Sequence, residues 1–219
     1  MGGGPFAPDS VEGFPLGSEG ARAGVGPMGE LILPGDEGSG WMRLFRRWPT
    51  GLAVLQVIPA LYVIVGAGET DFAAGIAAMA CIYLAAYAVG SQVAAWPAYP
   101  AVIAVLVAVE LVGIDARITM AGLLLLLWIA AVFRGRMRDG RWFALQTAGM
   151  VFFGGLTLLT LPLEVQAVGV IAGIGFFTHG LWDAYHFARN RVVNRPWSEM
   201  CVVVDLILGP VLIAVALTQ

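Results

Sequence analysis

The chain contains no lysine, so all 12 of its basic residues are arginine, set against 15 acids. A net charge of −3 lacks the positive surplus that phosphate backbones demand, which excludes a nucleic-acid partner. Histidine is almost as scarce, with only His179 and His186. Two cysteines, Cys81 and Cys201, sit in separate apolar runs and exclude a disulfide-stapled scaffold. Charged residues make up 12% of the 219 positions, about half the share usual in a soluble domain. Apolar residues fill 59%, and the mean hydropathy is +0.82. Such a composition excludes a uniformly soluble chain and predicts a multi-pass membrane protein whose principal partner is the lipid bilayer.

Composition breaks near residue 41. Residues 1–41 hold 12 glycines, five prolines, six acids and a single Arg22. Glycine and proline this dense, without a period, predict a disordered acidic tail. An alternative start at Met42 would make the tail a misassigned extension, leaving 42–219 as the transmembrane domain. A basic stretch followed by a short apolar core is missing, so no secretory signal is expected.

Crossing about 30 Å of hydrocarbon takes roughly 20 mostly apolar residues. Seven such runs lie near 51–68, 72–95, 98–114, 118–133, 143–162, 164–187 and 199–217. The predicted breaks are Gly66, Gly68 and Asp71; then Trp96, Pro97 and Pro100; then Asp115-Ala116-Arg117; then Pro162; and Pro196 opening the last run. Arg43, Arg46 and Arg47 precede the first run. Arg134, Arg136, Arg138 and Arg141 fall between the fourth and fifth, and Arg189, Arg191 and Arg195 between the sixth and seventh. An odd number of spans puts all ten on one side and only Arg117 on the other. The positive-inside rule then gives an all-α polytopic bundle of seven transmembrane helices in the cell (inner) membrane, N-terminus cytoplasmic and C-terminus outside. No internal repeat is visible, which weakens an inverted-repeat transporter.

Ionisable side chains within a bilayer are costly and each asks for a reason. Here they are Glu110, His179, Asp183, His186 and Asp205. On a helix, Asp183 and His186 fall about 40° and 20° from His179, so the three share one face. Ala172 and Gly175 continue that face and invite close approach by another helix. Asp205, some six residues into the last run, should face Asp183 and His179 across a short basic loop, with Cys201 one turn below. Gln56, Ser91, Gln92 and Gln146 fall in the same half, Gln92 extending a small-residue seam of Ala74, Ala78, Cys81, Ala85 and Ala88.

The string His179-Gly-Leu-Trp182-Asp183-Ala-Tyr-His186, followed by Cys201-Val-Val-Val-Asp205, resembles bacterial integral membrane proteins assigned to domain of unknown function 6010. The likeness covers roughly 176–210. It implies that His179, Trp182, Asp183, His186, Cys201 and Asp205 act as a unit, and it supplies no reaction. The seven-span layout is also similar to that of the membrane hydrolases that include ceramidases and adiponectin-type receptors. Their zinc site uses an early-helix His and a closely spaced late pair; this chain lacks the first and spaces its pair by seven.

Three readings stay open. His179, Asp183, His186 and Asp205, with Cys201 as a softer ligand, suit a zinc or iron site in a metal-dependent membrane enzyme, where His179, Asp183 and Asp205 would be the catalytic set. The same cluster suits a proton relay in a transporter or small-ligand binder. It also suits a purely structural polar lock. Bis-histidine haem is excluded within one chain, because both histidines share a helix. The substrate, whether a small molecule or a lipid, is not encoded legibly. Gly169-x-x-x-Gly173 serves a neighbouring helix or a second copy, leaving a homo-oligomer open. Further expectations are a Glu110–Arg117 pair, kinks at Pro59 and Pro210 with room for a ligand at Gly209-Pro210, a lipid-facing leucine run 123–127, and an interfacial belt of Trp48, Trp96, Trp128, Trp142 and Trp197. His186 is expected at the interface with Tyr185, where water can replace its contacts.

Overall fold

A computed structural model describes residues 47–67 and 72–218. The acidic tail 1–41, Met42, Arg43, Arg46, Gly68 and Asp71 lie outside the described residues. Among the described residues there are seven α-helices and no strand: α1 (Trp48–Ala67), α2 (Ala73–Val89), α3 (Ala95–Leu111), α4 (Ala116–Phe133), α5 (Arg141–Leu159), α6 (Val165–Arg189) and α7 (Arg195–Ala216). Five are long and apolar enough to cross a membrane: α3 with its leading turn, α4, α5, α6 and α7. The described part of α1, Trp48–Ile64, and all of α2 are apolar but shorter. Large apolar side chains such as Leu55, Leu111, Phe133 and Val151 point outward, which is the surface a bilayer solvates and water does not.

Helix α2 is the axis. It packs on α3, α4, α5 and α6, and 13 of its 17 residues are buried. Its alanines make it thin enough to be surrounded, and a helix apolar on every side belongs inside protein. The small-residue seam is therefore an entire buried cylinder. It stops at Gly90, whose φ of +79° forms the left-handed C-cap. Gln92 consequently does not extend α2. It opens a 3₁₀ turn, Gln92–Ala94, that leads into α3. Trp96 and Pro97 fall in the first turn of α3 and Pro100 lies inside it. A first-turn proline lacks only an N–H that has no helical partner, so it begins a helix as readily as it ends one.

The α3–α4 connection also differs from expectation. The chain leaves the helix at Val112–Gly113, so Glu110 and Arg117 share no face. Asp115 instead caps α4 by accepting from the Arg117 N–H. Its carboxylate pairs with the Arg117 guanidinium at 2.7 Å, and Arg117 also donates to the Thr160 carbonyl. That guanidinium holds the Asp115 carboxyl below the usual carboxylate range. In the leucine run, Leu125 and Leu126 face outward but Leu124 is buried against the core.

Helices α6 and α7 form the most extensive pair, and glycine decides how closely they meet. A Cβ on Gly173 would lie 2.6 Å from the Gly209 carbonyl oxygen and 2.5 Å from Ile213 Cγ1. A Cβ on Gly180 would lie 2.8 Å from Leu206 Cδ2. Gly173 is thus occupied by this internal seam. Gly209 is consumed by packing, and α7 continues through Pro210 to Ala216; α1 likewise continues through Pro59. The connecting loop is tied down: Gln92 donates to the Asn190 carbonyl, Asn194 N–H donates to the Gln92 carbonyl, and the Asn194 side chain caps α7.

Trp197 and Trp142, of the expected tryptophan belt, lie in the first turns of α7 and α5 but are packed against protein. Trp197 is 1% exposed and meets Trp96 and Tyr99 edge-on; Trp142 is buried beside His186. Trp48, the outermost of the set, is half exposed and stacks on Trp96.

Gly173→Ala is expected to destabilise the protein by about 1–3 kcal/mol through overpacking of the seam. Gly155→Ala, with nothing within 4 Å of the added Cβ, should instead stabilise by up to about 1 kcal/mol through helix propensity. Thermal unfolding of both variants in one detergent checks the pair; a lower melting point for Gly155→Ala would break the argument.

Candidate functional site

The α6–α7 hairpin has a simple register. His179 stands ten residues before the end of α6, and Asp205 ten residues after the start of α7. Each is therefore about 15 Å from its end of the loop. Because α7 begins at Arg195, Asp205 lies deeper than six residues in, near the middle of its helix. The close seam at Gly173, Gly180 and Gly209 then presses the two side chains together.

His179 Nδ1 lies 2.9 Å from Asp205 Oδ2 and 3.3 Å from Asp183 Oδ2. One donor atom from each residue lies within 4.8 Å of the other two. Exposure is 1% for His179, 0% for Asp183 and 2% for Asp205, so the cluster is buried. Asp183 Oδ1 accepts from the Tyr83 hydroxyl at 2.5 Å, and Tyr83 lies 3.5 Å from Ser198 Oγ. Two atoms of the cluster, His179 Nε2 and Asp183 Oδ2, make no hydrogen bond among the described residues. No arginine pairs with either carboxylate among the described residues; His179 is their only ion-pair partner.

His186 stands apart. Its Nδ1 bonds to the Trp182 carbonyl and its Nε2 lies 3.2 Å from Gln146 Nε2. At 0% exposure, packed between Tyr83, Trp142 and Trp182, it is shielded by protein rather than open to solvent. It is also outside the three-donor set, as is Cys201. The cause is helical direction: His179 leans toward the start of α6, one turn away from Asp183, while His186 is held by its own preceding turn.

A largely apolar, partly open cavity of about 380 Å³ adjoins the cluster, lined by residues of α1, α2, α3, α6 and α7. His179 and Asp205 form part of its wall, with Gln56, Tyr83, Tyr99, Trp197 and Cys201 as the other side chains that carry a hydrogen-bond donor. Trp197 Nε1 is buried without a partner. Gln56 accepts from Tyr99 and donates to Met200 Sδ.

Sequence reasoning brought His179, Asp183 and Asp205 together correctly and missed Tyr83. The available signal was its place in α2, where Cys81, Tyr83 and Tyr87 are the only side chains that carry a hydrogen-bond donor. It also missed the Gln146–His186 contact, having placed Gln146 only in the same half.

Removing one member of a buried charged set strands the others. Asp183→Ala and Asp205→Ala are each expected to cost about 3–5 kcal/mol, and the double variant clearly less than their sum. His186→Ala, which strands Gln146 rather than exposing a ring to water, should cost about 1–3 kcal/mol. Unfolding midpoints of the four variants test this; strict additivity of the two aspartate changes would separate the carboxylates energetically. No family model, no curated protein and no solved structure matches this chain.

Proposed function

We propose that the chain is a seven-span inner-membrane protein that holds a divalent metal ion, zinc or iron, at His179, Asp183 and Asp205, and acts as a metal-dependent enzyme on a substrate entering the apolar cavity. The observation that carries this reading is the two buried carboxylates converging on one imidazole nitrogen, with no arginine paired to them among the described residues. Two carboxylates and a neutral imidazole carry two negative charges, which a divalent cation balances. Ligands about 2.1 Å from a tetrahedral ion are about 3.4 Å apart, close to the 3.3 and 2.9 Å found around Nδ1. Three protein ligands leave a fourth position for water or substrate, the arrangement of catalytic rather than structural zinc. The cavity wall supplies the space beside it. An ion here would take the place of the Nδ1 proton, so its affinity should rise with pH. The motif resemblance to domain of unknown function 6010 would group these three with Trp182, His186 and Cys201.

A second reading has its own support. Ser198, Tyr83, Asp183, His179 and Asp205 form an unbroken series of polar contacts that ends at the cavity. Such a series moves protons in transporters and ligand-gated binders. The two readings differ in what neutralises the carboxylates.

Elemental analysis of protein purified without chelator separates them. Near-stoichiometric zinc or iron, lost in Asp183→Ala, is the expected result. A metal-free protein with pH-dependent ligand binding would replace the enzyme with the relay.

Orientation is tested independently. The loops carrying Arg134–Arg141 and Arg189–Arg195 belong on the cytoplasmic side by the positive-inside rule. A C-terminal fusion to a reporter active only outside the cytoplasm should therefore score positive; a silent fusion, with a cytoplasmic reporter active at the same position, would overturn seven spans.

A further inference from the structure

Helices α5 and α6 pack mainly on other neighbours, α5 on α2 and α4, α6 on α7. Between them runs an apolar groove of about 410 Å³, lined by Leu145, Ala148, Phe152, Leu181, Trp182 and Tyr185. Phe152, Leu181 and Tyr185 are exposed along it.

Its loop-side end is crowned by arginine. Arg141 and Arg191 stand 5.6 and 5.5 Å over the ring of Trp142. Arg189 stands 5.4 Å over Tyr185, and the Trp142 and Tyr185 rings are 6.2 Å apart. Tyr185 therefore belongs both to the groove and to the arginine platform. A guanidinium held over an aromatic ring is not engaged through its N–H donors by that contact, and its fork suits a phosphate. Among the described residues only Arg47 and Arg117 are in ion pairs with carboxylates, leaving these three without one. The stretches 134–141 and 189–195 together hold seven arginines and one acid, Asp139.

We infer that the α5–α6 face seats an anionic glycerophospholipid, one acyl chain in the groove and the headgroup phosphate on Arg141, Arg189 and Arg191. Charge complementarity selects the headgroup, since basic pockets at the ends of membrane helices hold anionic lipid phosphates. The groove selects a lipid over a free anion, because inorganic phosphate leaves it unfilled. This seat lies on the opposite side of Trp182 and Phe153 from the cavity beside His179 and Asp205, and it needs no metal.

The test is native mass spectrometry of the full chain, delipidated in detergent and titrated with phosphatidylglycerol or phosphatidylcholine. Wild type should retain phosphatidylglycerol preferentially. Each arginine-to-glutamine change should weaken that retention roughly fivefold, and Arg141→Gln/Arg189→Gln/Arg191→Gln together should abolish the preference. Ala148→Trp fills the groove from an exposed position and should lower retention of the lipid with all arginines intact. Equal retention of the two lipids by wild type, or an unchanged preference in the triple variant, would overturn the headgroup site. Competition by millimolar inorganic phosphate, with Ala148→Trp without effect, would overturn the lipid in favour of a free anion. The metal content of the triple variant should match wild type, so failure here is distinguishable from failure of the metal centre.

Discussion

At Gly173 and Gly209 the backbones of α6 and α7 come so near that no side chain fits between them, and the remainder of the site follows from that contact. Dispersion and close packing are the principal forces that join helices in lipid, where apolar surface gains nothing by meeting apolar surface. Small residues maximise both, and they also lock the relative register. Once Gly180 faces Leu206 and the Asp205 Cβ, His179 has a carboxylate at hydrogen-bonding distance whether or not the pair contributes stability of its own. The glycine seam is therefore the positioning device, and the polar residues occupy the geometry it creates.

What they occupy it with is electrically unbalanced. A carboxylate in low dielectric is costly, and two that share one imidazole leave a residual negative charge whichever protonation state the ring adopts, unless a proton stays on one of them. The Tyr83 hydroxyl relieves part of this by donating to Asp183, and it does so from α2, the helix at the centre of the packing. The cluster therefore connects the α6–α7 hairpin to the bundle axis. His186 and Gln146 make a second polar contact, between α6 and α5, with no carboxylate and no charge to balance.

The sequence made the seven helices legible, because each is a long apolar run and the chain can only break where glycine, proline or charge allows. It also made the three site residues legible: intramembrane ionisable groups are rare, and helical periodicity places them. The errors cluster where a residue type fits two roles. Proline at Pro97 was read as a stop when it serves equally as a start. Trp197 and Trp142 lie at helix ends, where tryptophan is amphipathic, and tertiary packing buries both, which their residue type alone does not signal. Arg117 was matched to Glu110 by helical spacing, which fails as soon as the helix ends between them. Tyr83 went unnoticed because an aromatic in an apolar run carries no charge to flag it; only the arrival of Asp183 from a helix 100 residues away makes its hydroxyl a functional group.

The sheathing of α2 has a consequence for biogenesis. A segment leaving the insertion machinery first meets lipid, and most of its surface is then matched to lipid before any partner arrives. For α2 that state is transient by construction, since alanine supplies thin, weakly anchoring surface and its final neighbours α4, α5 and α6 are synthesised after it. The bundle axis is thus assembled from a helix that must wait for its wall. The Tyr83 hydroxyl spends that interval without Asp183, and the junction that unites the polar cluster with the core is among the last contacts the growing chain can make.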